Sequence, residues 1–198
     1  MWTSPFRVRR SDAKWLLPLA VGAAALFATD RRVSNQIRQT DDLSQPSRII
    51  SFAGSPFPTF GAPLALMALG KVTDNDKTLQ TGELSLSAVS HAALFAQILK
   101  VVSERQRPDQ GSGLGQFWRG GSSFPSGHAM SAWAIAAVMA QQYPENRWIK
   151  VSSYSFATAV SLARIGGLNH FPSDVLIGSS MGYLIGRYVV RHHRQVFP

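Results

Sequence analysis

Residues 124–143 read FPSGHAMSAWAIAAVMAQQY, a short motif followed by a run of small and apolar residues. Pro125 suits the first position of a helix, and the alanine-rich run predicts a helix that packs closely through small side chains. The backbone N–H groups of Ser126, Gly127 and His128 are expected to point out of the helix amino terminus, where anions are favoured. Because glycine has no side chain, Gly127 allows an anion to approach the backbone closely.

A second motif lies upstream, where residues 100–108 read K-x6-R-P. Lys100 and Arg107 are seven residues apart, about two turns of an α-helix, so both side chains are expected on one face near a helix end. Pro108 disfavours helical backbone at Arg107 and is expected to begin a loop. This pattern places two cations next to the end of one predicted helix.

A third motif lies downstream, where residues 164–174 read R-x5-H-x3-D. Pro172 suits the start of the last predicted helix, which puts Asp174 in its first turn, where a carboxylate is favoured. From that position Asp174 can accept a hydrogen bond from His170. If Asp174 holds the Nδ1 proton, Nε2 of His170 is a neutral lone pair that can act as a nucleophile.

The three motifs together contain the groups that phosphoryl transfer requires. Three cations can hold phosphate oxygens, two histidines can share the nucleophile and acid roles, and one carboxylate can orient a histidine. These residues are Lys100, Arg107, Arg164, His128, His170 and Asp174. A metal pair formed by the last two is an alternative, but the neighbouring cations suit phosphate better than a metal ion. The carboxylate could also serve only as a helix-terminal charge.

These motifs closely resemble those of the type 2 phosphatidic acid phosphatase (PAP2) superfamily, which also includes bacterial acid phosphatases and vanadium haloperoxidases. The resemblance covers residues 100–174 and implies a PAP2-like helical fold with no metal and no other cofactor. It implies that His170 attacks phosphorus, that His128 protonates the leaving oxygen and that Asp174 orients His170. It also implies phosphate binding by five residues, Lys100, Arg107, Ser126, Gly127 and Arg164.

The third motif departs from the family pattern in two places. The family usually has serine before the arginine, whereas Ala163 precedes Arg164 here, which removes a hydroxyl that could support the phosphate network. The segment Ile-Gly-Gly-Leu-Asn at residues 165–169 also shifts its glycines relative to the common pattern. The spacing of the motif is intact, so the same site roles are expected.

The composition indicates a single domain and argues against some partners. The 198 residues contain no long polar linker, so residues 1–198 are predicted to form one domain with its motif core at 100–174. Residues 1–48 supply a basic segment, a first apolar helix and a loop. The net charge of +9 is spread between the motifs and the segment ends, which argues against nucleic acid and favours a membrane surface. No cysteine is present, so no disulfide framework constrains the fold.

Six apolar segments without strand alternation predict an all-α fold, a bundle of about six helices that spans a membrane. If all six segments cross the bilayer and the amino terminus is cytoplasmic, the three motifs face the outside together, as a single catalytic site requires. The segments are residues 15–29, 49–70, 84–99, 129–143, 151–163 and 174–190.

The hydropathy of the chain supports an alternative location. The mean hydropathy of −0.01 is low for six spans, and several segments are shorter than the roughly 20 apolar residues that cross a bilayer core. The first segment follows a basic stretch and could be a cleaved secretory signal instead of a retained helix. Two locations stay open: an integral protein of the cell membrane with an extracytoplasmic active site, or a periplasmic or secreted enzyme.

The predicted activity is metal-independent hydrolysis of phosphomonoesters or diphosphates through a phosphohistidine intermediate. The expected substrates are lipids such as phosphatidic acid, phosphatidylglycerophosphate or a polyprenyl diphosphate. The alternatives are a secreted non-specific acid phosphatase, a vanadium-dependent haloperoxidase, for which the chain is short, and a non-enzymatic phosphate-lipid binder. The last alternative has no need for His128, His170 and Asp174 together.

Overall fold

The computed structural model describes residues 13–39, 44–111 and 113–196, which contain seven α-helices and no strand. The all-α bundle predicted from the sequence is confirmed. The basic residues before residue 13, part of the predicted N-terminal segment, lie outside the described residues. The helices are α1 (Ala13–Arg38), α2 (Ser44–Ala53), α3 (Pro56–Val72), α4 (Asp76–Ser103), α5 (Gly127–Gln142), α6 (Arg147–Gly166) and α7 (Pro172–Val196).

There is one helix more than the number of predicted segments, because residues 49–70 are divided between α2 and α3. Pro56 takes the first helical position of α3 after Ser55, whose backbone is extended. A Cβ on Gly54 at the junction would clash with Cγ1 of Val160 and lie 3.3 Å from the Cβ of His128, so a side chain on residue 54 has no room. The junction between α2 and α3 therefore lies close to His128 of the second motif.

α5 is the central helix of the bundle, since it packs against α4, α6 and α7. Gly182 and Gly186 on α7 lie against the backbone carbonyls of Met130 and Ala134 on α5, where an added Cβ would clash. The two helices therefore approach closely, as the small residues predict. The core cluster between α4, α5 and α7 consists of Leu84, Ala88, Ala92, Ala96, Met130, Ala134, Val138, Val189 and Val190.

Large apolar side chains lie on the outside of the bundle. In contrast to the alanine-rich core, many of them expose about half of their surface or more, and we take six on four helices as examples. These six are Leu17, Val21, Leu64, Leu94, Ile98 and Phe156. Within the described residues, α4 is the one helix both long enough and apolar enough to cross a membrane.

The three motifs lie at one end of the bundle, which we call the site end. The carboxyl ends of α1, α4 and α6 and the amino ends of α5 and α7 meet there. Nη2 of Arg38 at the end of α1 donates to the carbonyl oxygen of Pro108 at 2.5 Å. The backbone N of Ser126 donates to the carbonyl oxygen of Asp174 at 3.0 Å. Residues separated widely in the chain thereby form one candidate site.

Candidate active site

The first motif begins in α4 and continues in the loop that follows. Lys100 lies in the last turn of α4, which ends at Ser103. Glu104 then adopts a left-handed backbone conformation with φ of 43°, which ends the helix. Arg107 is therefore a loop residue, and the expectation that it shares a helix face with Lys100 is wrong.

The loop between α4 and α5 connects the first motif to the second. The backbone N of Ser123 donates to the carbonyl oxygen of Arg105 at 2.8 Å. Nη2 of Arg107 donates to Oγ of Ser122 at 3.2 Å. These two hydrogen bonds hold the residues just before the second motif next to those of the first.

The second motif forms the amino terminus of α5, but the helix begins two residues later than predicted. Ser126 is the N-cap and Gly127 is the first helical residue, so Pro125 precedes the cap. The N–H of Ser126 is already bonded to the carbonyl of Asp174, so it is not available to an anion as expected. Gly127 and His128 are the first two residues of α5, whose N–H groups have no acceptor within the helix.

Gly127 leaves space beside Lys100. A Cβ at residue 127 would lie 3.9 Å from Nζ of Lys100 and 3.6 Å from Cβ of Ala96. Both are ordinary contact distances, so the packing of the protein does not itself require glycine here. The lack of a side chain instead gives a ligand access to the helix start and to the Lys100 ammonium.

The third motif joins α6 to α7, as predicted. Arg164 lies in the last turn of α6, and its carbonyl oxygen accepts hydrogen bonds from the backbone N of Asn169 (3.1 Å) and His170 (3.2 Å). Pro172 begins α7 with Asp174 in the first turn, which confirms the predicted helix start. The backbone of Arg164 thus fixes where His170 leaves the turn.

His170 is buried, and a backbone carbonyl orients its ring. Nδ1 lies 2.6 Å from the carbonyl oxygen of Ser123, which can only accept, so Nδ1 carries the proton. In the neutral ring Nε2 is then the free lone pair, as the sequence predicts. The partner differs from the expected one, because Nδ1 is 3.9 Å from Oδ2 of Asp174, beyond hydrogen-bond distance.

Asp174 is linked to His170 indirectly. Its Oδ2 accepts hydrogen bonds from Oγ of Ser123 at 2.5 Å and from the backbone N of Phe171 at 2.9 Å. Its Oδ1 accepts from Nη1 of Arg105 at 2.5 Å. Ser123 therefore bonds Asp174 with its hydroxyl and His170 with its carbonyl, and it transmits the position of the carboxylate to the ring.

Three cations surround the two histidines. Lys100, Arg107 and Arg164 are close enough to interact electrostatically with both His128 and His170. Within the described residues, Nε of Arg107 and Nε of Arg164 are buried donors without a hydrogen-bond partner. Buried donors are normally satisfied, so these two N–H groups are suited to an anionic ligand.

The electrostatics keep His170 neutral. Burial, followed by the positive charges of Arg164, Lys100 and Arg107, lowers the pKa of His170 well below its ordinary value of 6.5. The hydrogen bond to the Ser123 carbonyl opposes this shift but does not outweigh it. His170 therefore presents a lone pair, not a positive charge, at neutral pH.

The donors at this site do not resemble a metal centre. Both oxygens of Asp174 already accept hydrogen bonds, and the nearest charged partner is the guanidinium of Arg105. In the part of the chain that the structure describes, no group of three or more His, Asp or Glu side chains is placed to hold a metal ion. The cationic surroundings match a phosphate ester better than a metal.

Three residues at the site were not predicted from the sequence. Ser123 precedes the second motif, and Arg105 lies inside the first motif between its two recognised cations. Asp30 follows the first apolar segment and contacts Arg105. The available signals were weak: a third basic residue in the first motif and a single acid at the end of an apolar run.

A match to a protein-family model identifies the family of this chain. The family model described as the PAP2 superfamily matches residues 83–197, more than half of the chain. The chain belongs to the PAP2 superfamily. All three motifs lie inside the matched residues, whereas α1, α2 and α3 precede them.

Three curated relatives share the name lipid A 1-phosphatase. The protein from Rhizobium etli is 32% identical over 108 residues, or 51% of this chain and 45% of the relative. The one from Rhizobium johnstonii is 34% identical over 101 residues, or 48% and 40%. The one from Porphyromonas gingivalis is 36% identical over 66 residues, or 33% and 15%. The chain thus matches less than half the length of these relatives.

Two solved structures share the PAP2 fold of this chain. The transmembrane PAP2 type phosphatidylglycerolphosphate phosphatase from Bacillus subtilis superposes with a TM-score of 0.70 and 23% identity, covering 92% of this chain and 96% of that one. The Aquifex aeolicus LpxE structure gives a TM-score of 0.63 and 21% identity, covering 81% and 93%. The likeness extends beyond the matched motifs to most of the helical bundle.

The unusual residue of the PAP2 third motif is also accommodated in the fold. Ala163, which stands where the family usually has serine, is buried in α6. Its carbonyl oxygen accepts a hydrogen bond from the backbone N of Gly167 at 3.0 Å. The turn at the end of α6 is therefore closed through the backbone, without the missing hydroxyl.

Proposed function

We propose that this PAP2 protein is a metal-independent phosphatase that hydrolyses lipid phosphates through a phosphohistidine at His170. The observation that supports the proposal most strongly is the neutral ring of His170 beside cations with unsatisfied donors. Nε of Arg107 and Nε of Arg164 are buried without a protein acceptor. A phosphate group supplies acceptors for both and gains charge stabilisation from them in the transition state.

In the first step Nε2 of His170 attacks phosphorus, and the bond from phosphorus to the ester oxygen breaks. Lys100, Arg107 and Arg164 hold the other phosphate oxygens and stabilise their charge. His128 donates a proton to the departing oxygen, so the leaving group departs as a neutral alcohol. The products of this step are the alcohol and phosphorylated His170.

In the second step water attacks phosphorus from the side that the alcohol has left. His128, now neutral, accepts a proton from that water as it attacks. The bond between phosphorus and Nε2 breaks, which releases inorganic phosphate and restores the neutral ring of His170. The carbonyl of Ser123 holds the Nδ1 proton throughout, so the ring keeps its tautomer and orientation.

An apolar groove beside His128 supports a lipid as the substrate. The groove has a volume of about 380 Å³ and lies between α3, α5 and α6. Its lining includes Ala53, Ala62, Ala132 and Phe156. Ala53 is followed by Gly54, which packs against His128, so the groove begins next to the proposed leaving-group acid. Its apolar walls suit the hydrocarbon part of a lipid.

The relatives support a lipid substrate as a class, without choosing its headgroup. The curated relatives are named lipid A 1-phosphatases, and one structural neighbour is a phosphatidylglycerolphosphate phosphatase. Both names describe phosphate removed from a lipid. We therefore assign this chain to lipid phosphate hydrolysis and leave the headgroup to experiment.

We also place the protein in the cell membrane with its site end outside the cytoplasm. The exposed apolar side chains of the bundle and the transmembrane neighbour support a lipid environment. Lys14 at the start of α1 and Arg191 near the end of α7 lie at the end opposite the site. Basic residues at that end favour a cytoplasmic position for it.

The activity is tested with purified protein in detergent and a panel of lipid phosphates and water-soluble phosphate esters. We expect phosphate release in excess EDTA, inhibition by vanadate, and an acid-labile, base-stable label on the protein after a quench with labelled substrate. Activity lost on chelation and restored by magnesium or zinc would contradict a metal-independent reaction. Bromide oxidation with vanadate and peroxide would indicate a haloperoxidase instead.

The lipid groove is tested by filling it from its exposed wall. Ala62 lines the groove but is exposed on α3, so Ala62→Trp adds bulk without disturbing the core. We expect kcat/KM for a long-chain lipid phosphate to fall roughly tenfold, with p-nitrophenyl phosphate unaffected. Ala65→Trp, exposed on the same helix outside the groove lining, is the matched control. An equal loss on both substrates would exclude a hydrocarbon site.

Location is tested with single cysteines, which need no background removal because the chain has none. Gln110 is exposed in the loop at the site end, and Glu145 is exposed in the turn between α5 and α6 at the opposite end. In intact cells we expect an impermeant thiol reagent to label Gln110→Cys and spare Glu145→Cys. The protein should stay in membranes after a carbonate wash, and release into the soluble periplasmic fraction would favour the secreted alternative.

A further inference from the structure

Arg105 is a buried cation that does not face the proposed phosphate site. Its side chain is 4% exposed and bridges two buried carboxylates: Nη2 donates to Oδ2 of Asp30 at 2.7 Å, and Nη1 donates to Oδ1 of Asp174 at 2.5 Å. Nη1 also donates to Oγ of Ser173 at 2.8 Å, and Nε donates to the carbonyl oxygen of Gly115 at 3.1 Å. All three nitrogens of the guanidinium are therefore bonded.

Aromatic rings enclose this guanidinium. Its central carbon lies 4.4 Å from the ring centroid of Phe171 and 5.0 Å from those of Phe27 and Phe117. The rings attract the cation and keep water away, so its bonds to the carboxylates act in a medium of low dielectric constant. Such a cluster holds its members in one geometry, because separating a buried ion pair leaves an uncompensated charge.

Asp30 joins α1 to this cluster by several bonds. Besides Arg105, it accepts a hydrogen bond from the backbone N of Ser173 at 3.0 Å through Oδ1, and Oγ of Ser173 donates to its Oδ2. Ser173 lies in the first turn of α7, immediately before Asp174. Asp30 therefore fixes both the guanidinium and the start of the helix that carries Asp174.

Two sets of hydrogen bonds connect the same cluster to His170, the proposed nucleophile. Oδ2 of Asp174 accepts a hydrogen bond from the hydroxyl of Ser123, and the carbonyl of Ser123 in turn accepts one from Nδ1 of His170. The same Oδ2 also accepts a hydrogen bond from the backbone N of Phe171, the next residue after His170. A shift of Asp174 would move both attachments of the His170 ring. Misplacement of a reacting atom by about 1 Å can cost on the order of 10²-fold in rate.

We infer that Asp30 and Arg105 are positioning residues for His170, which makes α1 a functional part of the catalytic centre. This inference rests on the proposed function, in which His170 is the nucleophile. Neither residue takes a phosphate oxygen; both act through Asp174 and Ser123. Asp30 precedes residues 83–197, so the family pattern of the matched region does not contain it.

The test separates positioning of His170 from phosphate binding. Asp30→Asn keeps the size of the side chain but removes the charge and places an amide N–H against Arg105. We expect kcat and the rate of His170 phosphorylation to fall roughly 10-fold to 100-fold. KM and the inhibition constant of inorganic phosphate should stay within about twofold, because Lys100, Arg107 and Arg164 are unchanged. Glu145→Gln, an exposed carboxylate-to-amide change at the opposite end, is the matched control.

A second variant tests the same inference if Asp30→Asn does not fold. Arg105→Lys keeps one charge but cannot bridge two carboxylates, so it should show the same loss of kcat with an unchanged phosphate inhibition constant. Arg105→Ala should regain part of its kcat when millimolar guanidinium is added, and Asp30→Asn should not.

Three outcomes decide the inference. Folded Asp30→Asn and Arg105→Lys proteins with wild-type kcat would overturn it. So would losses in which KM and the phosphate inhibition constant worsen together with the thermal midpoint, since that result indicates general structural support. A wild-type protein without phosphatase activity would instead overturn the proposed function itself.

Discussion

The two sides of His170 differ in how their polar groups are satisfied. On the Nδ1 side, the polar contacts of Asp30, Arg105, Asp174 and Ser123 are made within the protein. What we call the other side consists of Arg107 and Arg164, cations that interact electrostatically with the ring and whose buried Nε donors have no protein partner within the described residues. A cluster whose hydrogen-bonding groups are all satisfied within the protein keeps its side chains in fixed positions. A cluster with unsatisfied donors is suited to bind a ligand.

The arginines on the two sides also differ in how their charge is balanced. Arg105 is surrounded by carboxylates and rings, so its charge is neutralised inside the protein. Arg107 and Arg164 interact with each other, and the acid that acts on Arg164 is Asp109 in the exposed loop. Cations gathered without matching acids are unfavourable unless an anion joins them. We therefore expect substitutions on the two sides to change different kinetic constants.

The largest effect is expected where the two sides meet, at His170. His170→Ala should lower kcat by on the order of 10⁴-fold or more with every ester, because no other group can take over the covalent step. The acid-labile protein label should disappear with it. His91→Ala is the control, since that ring is exposed on α4 and bonds the carbonyl of Ser87. A His170→Ala protein that keeps a tenth of wild-type turnover would show that the nucleophile lies elsewhere.

The next effect depends on the leaving group. His128→Ala should lower kcat/KM about 10²-fold to 10⁴-fold on a lipid or alkyl phosphate, whose alkoxide is a poor leaving group. On p-nitrophenyl phosphate the loss should be much smaller, because the aryl oxide leaves as a stable anion. The measurement is the ratio of kcat/KM for the two esters in folded protein. Equal losses would make His128 another phosphate-binding group.

A smaller effect is expected from one cation that we propose to bind phosphate. Arg164→Gln should lower kcat/KM about 10²-fold to 10³-fold and raise the inhibition constant of inorganic phosphate. The rise in that constant is the contrast with Asp30→Asn, in which phosphate affinity should be retained. Arg147→Gln at the opposite end of α6 is the matched control. If Arg164→Gln binds phosphate as wild type does, the proposed division between the two sides is wrong.

The smallest effect is expected from mild acid. The pKa of His170 is lowered well below 6.5 by burial and by Arg164, Lys100 and Arg107, so the ring should stay unprotonated as the pH falls through 6.5. Protonation, and loss of the nucleophile, should come only at lower pH. The ¹⁵N signals of His170, assigned by their absence in His170→Asn, would report this directly. A midpoint at or above 6.5 would show that the three cations do not act on this ring.

Much of the fold could be predicted from local pattern. The alanine-rich segments, the absence of strand alternation and the position of Pro172 depend on neighbouring residues, and the structure agrees with all three. The break between α2 and α3 was missed because both flanks are apolar, although Gly54 and Pro56 lie at the junction. The end of α4 was missed because the residue that adopts the left-handed conformation there is Glu104 and not a glycine, which would have indicated a helix end.

The sequence by itself determined which polar and charged groups the motifs contain, because residue type and motif spacing are local properties. These features are the cations Lys100 and Arg107, the helix start before His128, and the turn that joins His170 to Asp174. The tertiary structure decided which partners these groups meet. His170 bonds a carbonyl 47 residues away, and Arg105 bonds carboxylates 69 and 75 residues away. Such pairs depend on how the helices pack, and packing creates the low-dielectric interior in which their charges and hydrogen bonds hold the ring of His170 in place.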